Sequence, residues 1–280
     1  MSPVLYPPSR PQAIGEVLDS AFRIFQASLL KSLPYSVLAT VASQLQNIYT
    51  IVTGRTLHKF SNSDPGWWAL YLLGTILGCA LINAIFIRQA AVASGSQSMG
   101  PAAILEGLRK VPANILMVIA IAMVVGIWFL PLLGIAAAYR TGSIAVLCLP
   151  AAYLGVLFLC SWPALLVGHK GPLQSLRYSA HLIRGNWWRT VMVYLVVLTM
   201  IIVLSVTAGL IVAVLTQIFA ARDLAVTTAV SEVMVVASGA VYMPFVTSMS
   251  LALYGDLQAR KEGTDLERRI AGAPRSLSEQ

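Results

Sequence analysis

The chain alternates long apolar stretches with short charged ones. Six stretches contain no charged residue and are at least 23 residues long: Ser32–Gly54, Pro65–Ile87, Val111–Tyr139, Thr141–Gly168, Thr190–Ala221 and Val233–Gly255. A helix needs roughly 20 apolar residues to cross the hydrocarbon layer of a bilayer. The pattern therefore predicts six transmembrane helices, with spans at about 33–53, 67–89, 113–138, 144–168, 190–218 and 230–254.

Composition supports this class. Hydrophobic residues make up 58% of the chain and charged residues 11%, whereas soluble domains carry about 25% charged residues. Backbone within a bilayer must satisfy its own hydrogen bonds, which leaves helices or closed barrels. Barrel strands alternate apolar and polar residues, but the run Val191–Leu198 is almost uniformly apolar. We therefore expect an all-α integral membrane protein.

Three segments beside the spans have apolar residues at helical spacing, with polar residues on the other side. Segment 11–30 places together Ile14, Val17, Leu18, Ala21, Phe22, Phe25 and Leu29. Segment 101–111 places together Ile104, Leu105, Leu108 and Val111. Segment 172–187 places together Leu173, Leu176, Ala180, Ile183 and Trp187. The spacing predicts three amphipathic interfacial helices, each with its apolar side in the lipid.

These segments also indicate an internal repeat. Pro11–Leu18 and Pro101–Leu108 agree at five of eight positions, and Pro172 opens the third segment. Each segment leads into a predicted elbow, at 27–30, 113–116 and 185–188. The interpretation is three units of surface helix plus two-span hairpin, at about 9–97, 98–169 and 170–263, followed by a disordered cytoplasmic tail at 264–280. Chance similarity among Leu- and Ala-rich helices is the alternative.

The charge distribution predicts an orientation. Alternate connections, starting with the N-terminal arm, hold 15 of the 19 basic residues, and basic residues collect on the cytoplasmic side. Both termini are therefore expected in the cytoplasm. The net charge of +8 favours anionic headgroups of the cytoplasmic leaflet as partners and disfavours nucleic acid. The candidate headgroup residues are Arg23, Arg109, Lys110, Arg177, Arg184 and Arg189.

Four charged residues lie near predicted span ends: Arg88, Arg140, Glu232 and Asp256. Arg88 and Asp256 both lie at the cytoplasmic end of their spans in this topology. Ionisable groups within membrane spans usually have a function or a partner. We therefore consider an intramembrane ion pair between Arg88 and Asp256. The alternative is that each side chain reaches separately to the interface.

The sequence offers no reaction centre. Its three histidines, His58, His169 and His181, do not have the spacing of a metal site, and no phosphate-binding or nucleophile motif occurs. We expect neither catalysis nor a cofactor. Gly74 and Gly78 form a G-x-x-x-G pattern, which we attribute to helix packing within the bundle rather than to homodimerisation.

Three segments carry a family resemblance: Ile14–Phe25, Gly171–Arg189 and Leu253–Glu267. Together they resemble a bacterial family, the glycerophosphoryl diester phosphodiesterase membrane-domain family. In some relatives this membrane region is joined to a phosphodiesterase domain that needs a His-Arg start and a carboxylate cluster. Here His169 is followed by Lys170, so the resemblance does not imply hydrolysis. It implies an all-helical protein of the bacterial inner membrane.

Two hypotheses for function follow. The first is a non-enzymatic membrane protein that organises anionic lipid, or a partner enzyme, through basic interfacial helices. The second is a transporter or channel for a small or amphiphilic solute. It is suggested by four prolines within spans, which can kink helices: Pro131, Pro150, Pro163 and Pro244.

Overall fold

The regular structure is entirely helical in the computed structural model, which describes residues 6–8, 10–53, 65–96, 102–139, 152–219 and 224–272. No strand occurs within these ranges. The helices are α1 (Ile14–Ser43), α2 (Leu45–Val52), α3 (Pro65–Ala93), α4 (Ala102–Arg109), α5 (Val111–Tyr139), α6 (152–158), α7 (Ser161–Leu166), α8 (Pro172–Ile183), α9 (Trp187–Phe219) and α10 (Leu224–Gly272). The all-helical class is therefore confirmed.

Four stretches of helix are long and apolar enough to cross a membrane. They are Pro65–Ala93, Ala102–Ile127, Trp187–Leu215 and Ala229–Gly263. A shorter apolar stretch covers Ala152–Leu166, and the first part of the span predicted at 144–168 lies outside the described residues. Membrane-spanning helices are thus supported, while the count of six and the threefold repeat stay predictions.

The first predicted elbow is wrong. α1 runs unbroken from Ile14 to Ser43 and joins the first amphipathic segment to the start of the first predicted span. A stripe of buried residues continues in helical phase through the expected elbow at 27–30: Val17, Ala21, Ile24, Ser28, Ser32, Ser36 and Thr40. Because one face of α1 is buried along this whole length, a bend at 27–30 would interrupt its packing. The helix ends instead at Gln44.

The other two elbows differ from each other. Only Lys110 separates α4 from α5, so the elbow predicted at 113–116 lies inside a helix. The third elbow is confirmed, because α8 ends at Ile183 and α9 begins at Trp187. Gly185 lies between them with φ at 92°, a conformation that favours glycine.

The core forms around α1, α3 and α10. Phe25 of α1 packs edge-on against Phe245 of α10, and the backbone N–H of Gln12 donates a hydrogen bond to the carboxylate of Asp256. The two helices are therefore antiparallel. Leu182 and Ile183 of α8 are fully buried in the same core. The apolar side of α8, expected in lipid, is thus partly covered by protein, although Leu173 stays exposed.

Glycines allow α3 to approach α1 closely. A Cβ atom added at Gly74 would collide with the backbone carbonyl of Ala42, and one at Gly78 would lie 3.6 Å from the carbonyl oxygen of Ala39. Both glycines of the G-x-x-x-G pattern therefore face a helix of the same chain. At the other end of the chain, α10 continues to Gly272, so the first part of the tail predicted at 264–280 is helical.

Candidate functional site

A fully buried carboxylate, Asp256, joins three parts of the chain. One of its oxygens accepts the backbone N–H of Gln12 at 2.7 Å. The other accepts from Arg189 Nε at 2.9 Å and from Arg260 Nε at 3.2 Å. Both guanidinium groups also donate to the carbonyl oxygen of Gln12. Asp256 thereby holds together the start of α9, the C-terminal part of α10 and the N-terminal arm, which is the segment that precedes α1.

The N-terminal arm makes further contacts with this end of the bundle. The N–H of Tyr6 donates to the carbonyl oxygen of Ala93 at 3.1 Å. The Tyr6 ring and Pro8 cover Gly255 so closely that a Cβ there would lie 2.9 Å from the ring. The arm therefore fits a backbone surface that only glycine leaves open.

Arg88 and Asp256 are not brought together. Arg88 Nη1 donates to the hydroxyl of Tyr35 at 2.7 Å, and its guanidinium lies 5.0 Å from the centre of the Tyr35 ring. The partners of Asp256 are Arg189 and Arg260 instead. The ion pair considered from the sequence is therefore not formed. Arg88 and Asp256 lie in two separate sites, because α10 directs the Asp256 carboxylate toward the start of α9.

The candidate headgroup residues fall into three groups. Arg109, Arg177 and Arg184 are exposed and, within the described part of the chain, have no carboxylate partner; Lys110 is half-buried. Arg23 is exposed but pairs with Asp19 at 2.9 Å. Arg189 is 16% exposed and is engaged by Asp256. The structure thus leaves mainly α4 and α8 with cations free for a headgroup.

Comparison with known proteins gave no match to a family model, a curated protein or a solved structure. The resemblance carried by the three segments therefore stays a prediction.

A second polar region surrounds Pro244 within α10. Pro244 lacks an N–H, so the carbonyl oxygen of Ala240 loses its helical donor. The hydroxyl of Ser36 replaces that donor at 2.6 Å, and Gln89 Nε2 donates to the carbonyl oxygen of Pro244 at 2.7 Å. Gln89 Oε1 is buried without a partner. Side chains from α1 and α3 thus hydrogen-bond the backbone carbonyls on both sides of the missing N–H.

A third polar region joins α3 to α4, α5 and α7. Asn83 Oδ1 accepts from Asn114 Nδ2 at 2.7 Å and from Trp162 Nε1 at 3.0 Å, and its Nδ2 donates to the carbonyl oxygen of Gly107 at 3.0 Å. An indole nitrogen only donates, so Trp162 fixes the orientation of both amides. Asn114 Oδ1 is therefore the atom without a partner.

Sequence reasoning missed Gln12, Arg260 and Tyr35 as partners of the flagged charges. Arg260 had a local signal, since it lies four residues after Asp256 and such residues are neighbours on a helix. The contact made by the backbone of Gln12 had no such local signal in the sequence. No group of three His, Cys, Asp or Glu side chains suited to a metal occurs among the described residues.

Proposed function

We propose that this chain is a non-enzymatic integral membrane protein that organises anionic lipid at one face of the bilayer. Cations on α4 and α8 form the contact. In the proposed topology six helices span a bacterial inner membrane, and this face and both termini are cytoplasmic. A partner enzyme held at the same face is compatible with this role.

The observation that carries the proposal is the mixed surface of α4 and α8. Leu105 and Leu108 are exposed beside exposed Arg109 on α4. Leu173 is exposed one turn from exposed Arg177 on α8. Side chains of both kinds are suited to the boundary between acyl chains and headgroups. Each cation near an anionic surface contributes about 1 kcal/mol.

The test compares lipid immobilisation by the reconstituted protein. Spin-labelled phosphatidylglycerol and phosphatidylcholine are measured in bilayers containing the parent or the triple variant Arg109→Gln/Arg177→Gln/Arg184→Gln. The parent is expected to immobilise phosphatidylglycerol preferentially, and the triple variant to lose that preference. The matched control is Asp19→Asn/Arg23→Gln, which removes an exposed ion pair. Equal preference in the parent and the triple variant would contradict the proposal.

A transporter for a small or amphiphilic solute is the second candidate. It is favoured by the buried polar atoms beside Pro244, where Gln89 Oε1 has no partner. Helices interrupted by proline or glycine commonly line substrate sites in transporters. Solute flux into vesicles that depends on Gln89 would support this candidate over the first.

A further inference from the structure

Arg88 has no anionic partner in the described part of the chain. Its Nη1 donates to the hydroxyl of Tyr35, and its Nε is buried without a hydrogen-bond partner. Among the residues that the structure describes, no carboxylate lies within ion-pair distance of Arg88. Asp256, the partner considered from the sequence, is engaged by Arg189, Arg260 and the backbone of Gln12 instead.

Such an arrangement favours the binding of an external anion. Burying part of a charged group without a counter-charge is costly. The phenol of Tyr35 satisfies one nitrogen of Arg88 but brings no negative charge. The remaining donors of a guanidinium form a planar fork that fits a carboxylate or a phosphate.

A second cation lies beside this fork. Lys31 is exposed and precedes Tyr35 by four residues on α1, so the two side chains share a face of the helix. Lys31 therefore lies one helical turn from the tyrosine that Arg88 contacts. Neither cation has a carboxylate partner in the described ranges.

The position of the two cations along their helices identifies the anion. Lys31 directly precedes the charge-free stretch Ser32–Gly54, and Arg88 directly follows the charge-free stretch Pro65–Ile87. Two apolar stretches from different helices thus end at one place in the structure. In a bilayer the hydrocarbon layer ends where the phosphate groups of the lipids begin.

We infer that Arg88 and Lys31 bind the phosphate of a glycerophospholipid, and that Tyr35 positions the guanidinium. Two cations facing one phosphodiester favour a lipid with a net negative charge. The site rests on the proposed function only in placing the chain in a bilayer. It uses none of the cations of α4 and α8, and it holds one lipid in a defined place.

The experiment is native mass spectrometry of the full chain released from bilayers containing equal amounts of phosphatidylglycerol and phosphatidylcholine. The parent is expected to retain one phospholipid, with phosphatidylglycerol preferred. Arg88→Gln is expected to lower that retention about tenfold, because hydrogen bonds to a charged group are lost. Tyr35→Phe is expected to lower it less, and Lys31→Gln to reduce the preference for phosphatidylglycerol.

The triple variant Arg109→Gln/Arg177→Gln/Arg184→Gln separates this site from the proposed function. It is expected to lose preferential lipid immobilisation and still retain the single phospholipid. Conversely, Arg88→Gln is expected to lose the retained lipid and keep preferential immobilisation. The two ideas can therefore fail independently.

Unchanged retention in Arg88→Gln would overturn the inference. If Arg88→Gln does not fold, Tyr35→Phe and Lys31→Gln decide, and unchanged retention and lipid preference in both would overturn it equally. A further arm adds inorganic phosphate before release. Lipid that stays bound supports the inference, whereas a parent that carries inorganic phosphate and no lipid contradicts it.

Discussion

Arg189 and Asp256 form a short ion pair between the start of α9 and the C-terminal part of α10. The distance from Arg189 Nε to the carboxylate is 2.9 Å, and the Asp256 side chain is fully buried. A buried charge that loses its partner is strongly destabilising, whereas an exposed pair contributes little. The stability of this end of the bundle therefore depends on one carboxylate.

Asp256→Asn is expected to destabilise the protein by about 3–5 kcal/mol, because Arg189 and Arg260 then lack a counter-charge. The measurement is thermal or denaturant unfolding in mild detergent. Asp19→Asn is the matched control, since the exposed pair of Asp19 with Arg23 predicts a loss of about 1 kcal/mol or less.

A double-mutant cycle tests which arginine is the partner of Asp256. Asp256→Asn combined with Arg189→Gln is expected to cost less than the sum of the two changes, because they share one interaction. Asp256→Asn combined with Arg88→Gln is expected to be additive. Coupling to Arg88 alone would contradict the geometry.

Ser36 and Pro244 predict a second cycle. Ser36→Ala removes the donor to the Ala240 carbonyl and leaves a buried acceptor unsatisfied, at a cost of about 1–3 kcal/mol. In the background of Pro244→Ala, the restored N–H reaches the same carbonyl, so Ser36→Ala is expected to cost much less there. The readout is the unfolding free energy of the four proteins. An equal cost in both backgrounds would show that Ser36 does not replace the missing backbone donor.

Gly74→Ala is expected to destabilise the contact between α3 and α1, because the new Cβ collides with the carbonyl of Ala42. The backbone there cannot move like a flexible side chain, so we expect a loss of about 1–3 kcal/mol from overpacking. Gly209→Ala in α9 is the control, since nothing lies within 4 Å of its added Cβ. Gly209→Ala is expected to be neutral or stabilising. Equal unfolding midpoints for the two variants would argue against close packing at Gly74.

The amide cluster predicts an order of effects. Asn83→Ala removes three hydrogen bonds and strands the indole N–H of Trp162, so we expect a cost of about 2–4 kcal/mol. Asn114→Ala removes the hydrogen bonds donated by Asn114 Nδ2, and it also removes Asn114 Oδ1, which has no partner. A smaller loss of unfolding free energy is therefore expected. Unfolding midpoints compare the two variants. A larger effect at Asn114 would mean that its oxygen has a partner in the bilayer-embedded protein.

The class of fold could be predicted from the sequence because it depends on local composition. Apolar stretches without charge indicate helices wherever they occur, and the glycine elbow at Gly185 is a local feature of the same kind. The unbroken course of α1 was not predictable in this way. Its buried stripe contains small polar residues such as Ser28 and Ser32. In the sequence alone these residues suggest a break in the helix, whereas in the folded chain α10 and α3 cover them.

The candidate site was less predictable than the fold. Charge position singled out Arg88 and Asp256, but it suggested that they pair with each other, and it placed Arg189 among the headgroup residues, whereas Arg189 pairs with Asp256. Those partners depend on how α9 and α10 pack, and on the backbone of Gln12, which has no signal in residue type. Local patterns therefore identify the charges, and tertiary packing chooses their partners.

The bond between Gln12 and Asp256 links positions 244 residues apart. During synthesis the segment around Gln12 is made long before the carboxylate that anchors it. Until then the part of α1 that α10 covers stays open. A chain shortened before α10 would therefore leave this part of α1 uncovered and open to proteases.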